Sequence, residues 1–164
     1  MSFPLKLIGA VCVVLCTTGI GFMLSEKLRR RTVFLNEFDC FLSALDTNIR
    51  YSGDEIVSLI KTCAPGIIKS YMDFNQKDYY SLWQSFLRAV SKSSGLREED
   101  YKLLCDFGEK LGATDVEGQL SHIRLYREML GRNYNNSLLE YKSKSKIYKL
   151  LGFFVGAAAL IMIL

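Results

Sequence analysis

Residues 7–51 read LIGAVCVVLCTTGIGFMLSEKLRRRTVFLNEFDCFLSALDTNIRY, and this stretch decides the fold. Its first 19 residues, Leu7 to Ser25, carry no charge. At about 1.5 Å rise per residue they match the ~30 Å hydrocarbon layer of a bilayer. From Thr32 onward, Phe34, Phe38, Phe41, Leu42, Leu45 and Ile49 recur at three-to-four spacing, which places them on one side of a helix. No breaker intervenes between the apolar run and Tyr51. The expectation is a transmembrane helix that continues straight into the first amphipathic helix of a water-exposed body.

The other end of the chain mirrors this pattern. Leu150 to Leu164 carries no charge; it is short for a span, but Ile147 and Tyr148 extend it and Lys149 can snorkel to the headgroups. Lys142, Lys144, Lys146 and Lys149 precede this run as Lys27, Arg29, Arg30 and Arg31 follow the first. Both basic clusters therefore face the middle of the chain, which the positive-inside rule places in the cytoplasm with both termini outside. These eight side chains are expected to contact anionic lipid headgroups. A cleaved signal peptide fits poorly, because the positive cluster follows the apolar run. The expected organisation is a transmembrane helix over 1–25, a cytoplasmic helical domain over 26–149 and a second transmembrane helix over 150–164.

Composition agrees with this division. Of 164 residues, 49% are hydrophobic, more than a water-soluble domain of this size needs, while 23% charged residues argue against a wholly buried protein and against disorder. The net charge of +4 divides unevenly, since Thr32 to Tyr141 holds 12 basic and 16 acidic residues, a net −4. An acidic body with a basic membrane collar disfavours nucleic-acid binding, which needs a positive face on the water-exposed part. The five cysteines, with no C-x-x-C pair, read as small hydrophobes rather than a disulfide framework.

Between the two long helices the sequence predicts shorter ones. Ser52-Gly53-Asp54-Glu55 has capping-box spacing, and Ile56, Val57, Leu59 and Ile60 follow before Pro65-Gly66 stops the helix. Ile67, Ile68, Tyr71 and Met72 give a short stripe. Tyr79, Leu82, Trp83, Phe86, Leu87 and Val90 give a longer one, ending at Ser93-Ser94-Gly95. Glu98-Glu99-Asp100 suit the first turn of the next helix, whose inward face is Tyr101, Leu104, Gly108 and Leu111 and whose end is Gly112. Thr114-Asp115-Val116-Glu117 is a second capping box, opening a last helix through Leu120, Ile123, Leu130, Tyr134, Leu138 and Tyr141 into the terminal apolar run. Strand-type alternation is absent. The fold class is all-α, an antiparallel bundle of about six helices, with N- and C-terminal transmembrane helices continuous with it.

Catalytic chemistry has little to build on. The lone His122 has no metal-ligand spacing around it, Gly108 and Gly112 lack the Lys-Ser/Thr of a phosphate loop, and no nucleophile has an identifiable base. No enzyme activity, cofactor or metal is expected. The apolar runs are more informative. Gly152 and Gly156 form a G-x-x-x-G continued by Ala159, and Gly9, Cys12, Cys16 and Gly19 form a small-residue stripe on the first run, both suited to close helix packing.

Several residues together resemble a known family. They are Lys6-Leu7-Ile8-Gly9-Ala10 with Thr17-Thr18 and Gly21, Ile49-x-Tyr51, Trp83, Asp106-Phe107-Gly108-x-x-Leu111-Gly112-x-x-Asp115, Gln119 with His122-Ile123, and Tyr148-x-x-Leu151-Gly152. The pattern resembles stage III sporulation protein AB of endospore-forming bacteria over nearly the whole chain. Ser52-Gly53-Asp54 departs from it, where a Thr-Pro-like turn is expected.

The resemblance implies a place on the mother-cell side of a channel-like complex joining mother cell and forespore. It also implies a soluble domain similar to the platform F protein of type II secretion and type IV pilus machines, which acts as a non-catalytic adaptor. The implied partners are a cytoplasmic secretion-type ATPase, the AA protein of the same operon, and other stage III sporulation channel components, with oligomers possible. Candidate contact residues are the carboxylates Glu98, Glu99, Asp106 and Glu109 around the Phe-Gly block. The alternative is a small channel subunit whose membrane helices line a conduit, with Thr17 and Thr18 facing water.

Overall fold

The 49 residues Phe3–Tyr51 form a single helix, α1, so the apolar run passes into the Phe34–Ile49 stripe without a break, as the sequence predicts. The structure is a computed structural model that describes residues 3–51, 55–76 and 78–163. After α1 come α2 (Ile56–Cys63), α3 (Gly66–Ser70), α4 (Tyr79–Ser93), α5 (Glu98–Lys110) and the 48-residue α6 (Val116–Ile163). Among the described residues there is no strand.

Local chemistry sets the boundaries. Pro65 separates α2 from α3, and Asp78 caps α4 by accepting the Ser81 amide at 2.8 Å. Gly95 and Gly112 take positive φ, 73° and 87°, as the turns after α4 and α5 require. The cap of α6 is Asp115, one residue beyond the expected Thr114; its Oδ1 accepts the Gly118 amide at 3.1 Å. The other expected capping box lies at Ser52-Gly53-Asp54, outside the described residues, and Glu55 precedes α2 without a side-chain cap.

Two compact units share the long helices: residues up to Arg29 with those from Ser137, and residues 30–136. In the second unit the core is aromatic. Phe38 sits at its centre, with ring centroids 5.5 Å from Phe41, 6.0 Å from Phe107, 6.1 Å from Phe34, 6.2 Å from Phe86 and 6.4 Å from Trp83. Trp83 is buried, as its stripe predicts, and its indole Nε1 donates to the Leu104 carbonyl at 3.2 Å. The indole lies flush on Gly108, where a Cβ would collide with it. Arg127 and Arg124 of α6 pair with Asp39 and Asp46 of α1 at 3.0 and 3.7 Å, so here the two helices run antiparallel.

The first unit is a two-helix pair. Its contacts step down α6 as they step up α1: Val14 and Thr17 with Gly156, Thr17 and Thr18 with Gly152, Gly21 with the Tyr148 carbonyl, and Ser25 with Ser145. That order is antiparallel, and the glycines bring backbone against backbone. Among the described residues no helix is long and apolar enough to cross a membrane.

Candidate interaction surfaces

The α1–α6 seam uses only part of the small-residue pattern expected from sequence. Gly152 and Gly156 are buried against α1, and a Cβ on Gly152 would lie 2.6 Å from the Thr17 carbonyl. Ala159 is half-buried. On α1 the seam is Val14, Thr17, Gly21 and Ser25, and the small-residue stripe Gly9, Cys12, Cys16 and Gly19 lies outside it. Nothing approaches Gly9 or Gly19, and Cys12 and Cys16 are exposed. The two stripes are distinct faces, because one stepping 14, 17, 21, 25 points away from one stepping 9, 12, 16, 19 on the same helix. The Thr17 hydroxyl donates to its own helix, to the Val13 and Val14 carbonyls at 3.0 and 3.1 Å. Leu15, Ile20, Phe22 and Met23 of α1, and Leu151, Phe153, Phe154 and Val155 of α6, are exposed.

Seven of the eight basic residues expected at lipid headgroups are exposed: Lys27, Arg29, Arg30, Lys142, Lys144, Lys146 and Lys149. Arg29 pairs with Glu26 at 2.7 Å, and Lys144 with Glu140 at 3.2 Å. Arg31 is the correction. It is 2% exposed, and its Nε and terminal nitrogen donate to the two oxygens of Asp100 at 2.7 and 3.0 Å. A third bond runs to Glu99 at 3.0 Å. Asp100, itself 0% exposed, also accepts from Asn133 at 2.8 Å and from the Arg97 amide at 3.0 Å, so every donor it needs is supplied within the bundle. A sequence signal for this pair exists. Arg31 falls in phase with Phe34, Leu35 and Phe38, and Asp100 with Leu104, Phe107 and Leu111, so each occupies a core position of its stripe.

The four candidate carboxylates lie on α5, with eleven positions, or about 16 Å of helix, between Glu98 and Glu109. Glu98 and Glu109 are exposed and Asp106 is half-buried. Glu99 is 58% exposed but tied to Arg31. Glu109 alone of the four lines a groove between α4 and α5, about 450 Å³ in volume, with Tyr79, Tyr80, Trp83 and Tyr101 on its walls. The Tyr79 hydroxyl donates to the Gly108 carbonyl at 2.7 Å, and burial holds its pKa well above the ordinary tyrosine value. The Cys105 thiol, also on the groove wall, is pushed up by burial, against the lowering effect of its hydrogen bond with Tyr101, with smaller upward contributions from the negative charge of Asp106 and Glu109. Of the cysteines read as small hydrophobes, Cys40 is exposed, and Cys63 and Cys105 are half-buried. Among the described residues no group of three or more His, Cys, Asp or Glu could hold a metal ion.

The family model for stage III sporulation protein AB matches residues 6–164 of this chain. The chain belongs to that family. A curated relative, stage III sporulation protein AB of Bacillus subtilis (strain 168), is 25% identical over 170 residues, covering 98% of this chain and 99% of the relative. No solved structure matches. The Phe-Gly-x-x-Leu-Gly-x-x-Asp block that carried the resemblance forms the α5–α6 turn. Phe107 packs in the core and Gly108 admits Trp83. Gly112 turns the chain, its amide donating to the Gln119 side chain at 3.0 Å, while Gln119 Nε2 reaches the Thr114 carbonyl at 3.3 Å. The His122 ring stacks on Phe107 at 5.2 Å and its Nε2 lies 3.1 Å from the Phe107 carbonyl. Phe107, Gly108, Gly112 and Asp115 of the block thus form a structural joint through packing and hydrogen bonding.

Proposed function

We propose that this member of the stage III sporulation protein AB family is a non-catalytic, membrane-anchored adaptor. Its α1–α6 pair sits in the mother-cell membrane, and its helical bundle lies in the cytoplasm, coupling a secretion-type ATPase to a trans-envelope assembly. The observation that carries the reading is the α1–α6 pair itself. Its small residues meet inside while Leu15, Phe22, Met23, Phe153 and Phe154 face outward, the reverse of a water-soluble coiled pair. The exposed Lys27, Arg29, Lys142, Lys144, Lys146 and Lys149 suit anionic headgroups at its end. The sporulation role rests on the family. A channel lined by these helices draws no support from Thr17, whose hydroxyl is satisfied by its own backbone.

Two measurements test the reading. In membrane fractions of sporulating cells, the protein should resist carbonate extraction, and a cysteine placed at Glu98 should be shielded from an impermeant thiol reagent until the membrane is opened. A protein extracted by carbonate, or labelled at that position in intact cells, overturns the anchor. Deleting the bundle while keeping both apolar runs should abolish recruitment of the ATPase and block sporulation. Recruitment and sporulation that survive the deletion overturn the adaptor role.

A further inference from the structure

The groove between α4 and α5 has a composition that selects its occupant. Tyr79, Tyr80, Trp83 and Tyr101 supply aromatic rings, Leu87 an apolar floor, and Glu109 the one acidic side chain among its described lining residues, which include no lysine or arginine. Aromatic rings attract cations through their quadrupoles, and a carboxylate on the same wall adds to that field. Asp106 and Glu109 already act on the wall, since both raise the Cys105 thiol pKa, after burial. Tyr80, 70% exposed, stands at the rim, where a tyrosine offers contact area with little conformational freedom to lose. The neighbouring trough along α4, lined by Gln76, Tyr80, Ser81, Gln84, Ser85 and Arg88, shares Tyr80 and Gln84 with the groove but carries the opposite charge, so the carboxylate lies on the α4–α5 side of Tyr80.

From this we infer that the α4–α5 groove is a docking site for a helical segment of a partner protein that presents one lysine or arginine between apolar side chains. The apolar side chains lie along Leu87 and the rings while the cation meets Glu109. The inference rests on the adaptor reading for the partner's place, and it narrows the expected four-carboxylate surface to Glu109. Glu98, outside the groove, contributes solvation and helix-end charge only.

Trp83 is the one tryptophan in the chain and lines the groove, so its emission reports occupancy directly. The probe is a blocked helical peptide with one arginine between two leucines, titrated into the full-length protein in lipid nanodiscs. A saturable change in Trp83 emission is expected, and Glu109→Lys should weaken it about tenfold through loss of the pair and added repulsion. Glu98→Lys, the same charge change on the same helix, should leave it within about twofold. A peptide with glutamate in place of arginine should not bind. No saturable change with the arginine peptide, equal binding of the two peptides, or equal loss in both variants overturns the docking site. Self-association of the nanodisc-free protein in detergent that Glu109→Lys abolishes would assign the groove to a second copy and overturn it as well. Because the titration contains no ATPase, failed recruitment in cells with intact peptide binding would sink the adaptor reading alone.

Discussion

Breaking the Arg31–Asp100 pair should cost the bundle a large share of its stability. Arg31→Met removes both bonds to Asp100 and the bond to Glu99, leaving a carboxylate that is 0% exposed with only Asn133 and the Arg97 amide. Removing one partner of a buried ion pair costs about 3–5 kcal/mol, because the remaining charge cannot return to water. A typical domain holds about 5–15 kcal/mol in total, so the loss should be visible in any unfolding measurement. Asp100→Leu should cost a similar amount by stranding Arg31. The double variant Arg31→Met with Asp100→Leu fills the same space with apolar atoms and should recover to within about 1–2 kcal/mol of the parent. The assay is urea unfolding of the full chain in detergent, followed by Trp83 emission. If Arg31 were a headgroup contact, Arg31→Met would cost less than about 1 kcal/mol and the double variant would show no recovery, which would refute the structural role.

Three further outcomes follow from the packing. Gly108→Ala should destabilise by about 1–3 kcal/mol, since its Cβ collides with the Trp83 indole, whereas Gly131→Ala, in α6 with open space around it, should stabilise by about 0.5–1 kcal/mol through helix propensity; thermal unfolding by circular dichroism separates the two signs. Ser25→Cys with Ser145→Cys, in a chain stripped of its native cysteines, should oxidise to a disulfide across the 2.6 Å hydroxyl contact, and adding Gly21→Leu should suppress it where Gly19→Leu does not. Tyr79 has its pKa raised by burial, so the folded state holds its proton where the unfolded chain releases it. Stability should be full below about pH 10 and fall as pH rises above it, and Tyr79→Phe should flatten that alkaline slope while losing about 1 kcal/mol at neutral pH with the Gly108 hydrogen bond.

The sequence by itself determined the helices and where they stop. The Phe34–Leu45 and Leu82–Val90 stripes, the charge-free runs at both ends and the glycines at 95 and 112 are local patterns, and local hydrogen bonding and backbone freedom are enough to realise them. Trp83 could be placed in the core for the same reason. What needed the tertiary structure was every choice of partner across the chain. Arg31 belongs to an arginine run that reads as a lipid anchor, and only the arrival of Asp100 from 69 residues away turns it into a buried pair. The seam on α1 depended on which side α6 approaches, because a helix with small residues on two sides offers two equally close faces, and contact with Gly152 and Gly156 settled it on Gly21. The α4–α5 groove is likewise a property of two helix surfaces together; in sequence Tyr80 is an ordinary surface residue and Glu109 one of four candidate carboxylates, and their shared wall exists because Gly108 lets Trp83 bring α4 against α5. Periodicity reports which face of a helix is apolar, but the identity of what meets that face is a long-range fact, fixed by packing and by the desolvation of the charges that packing encloses.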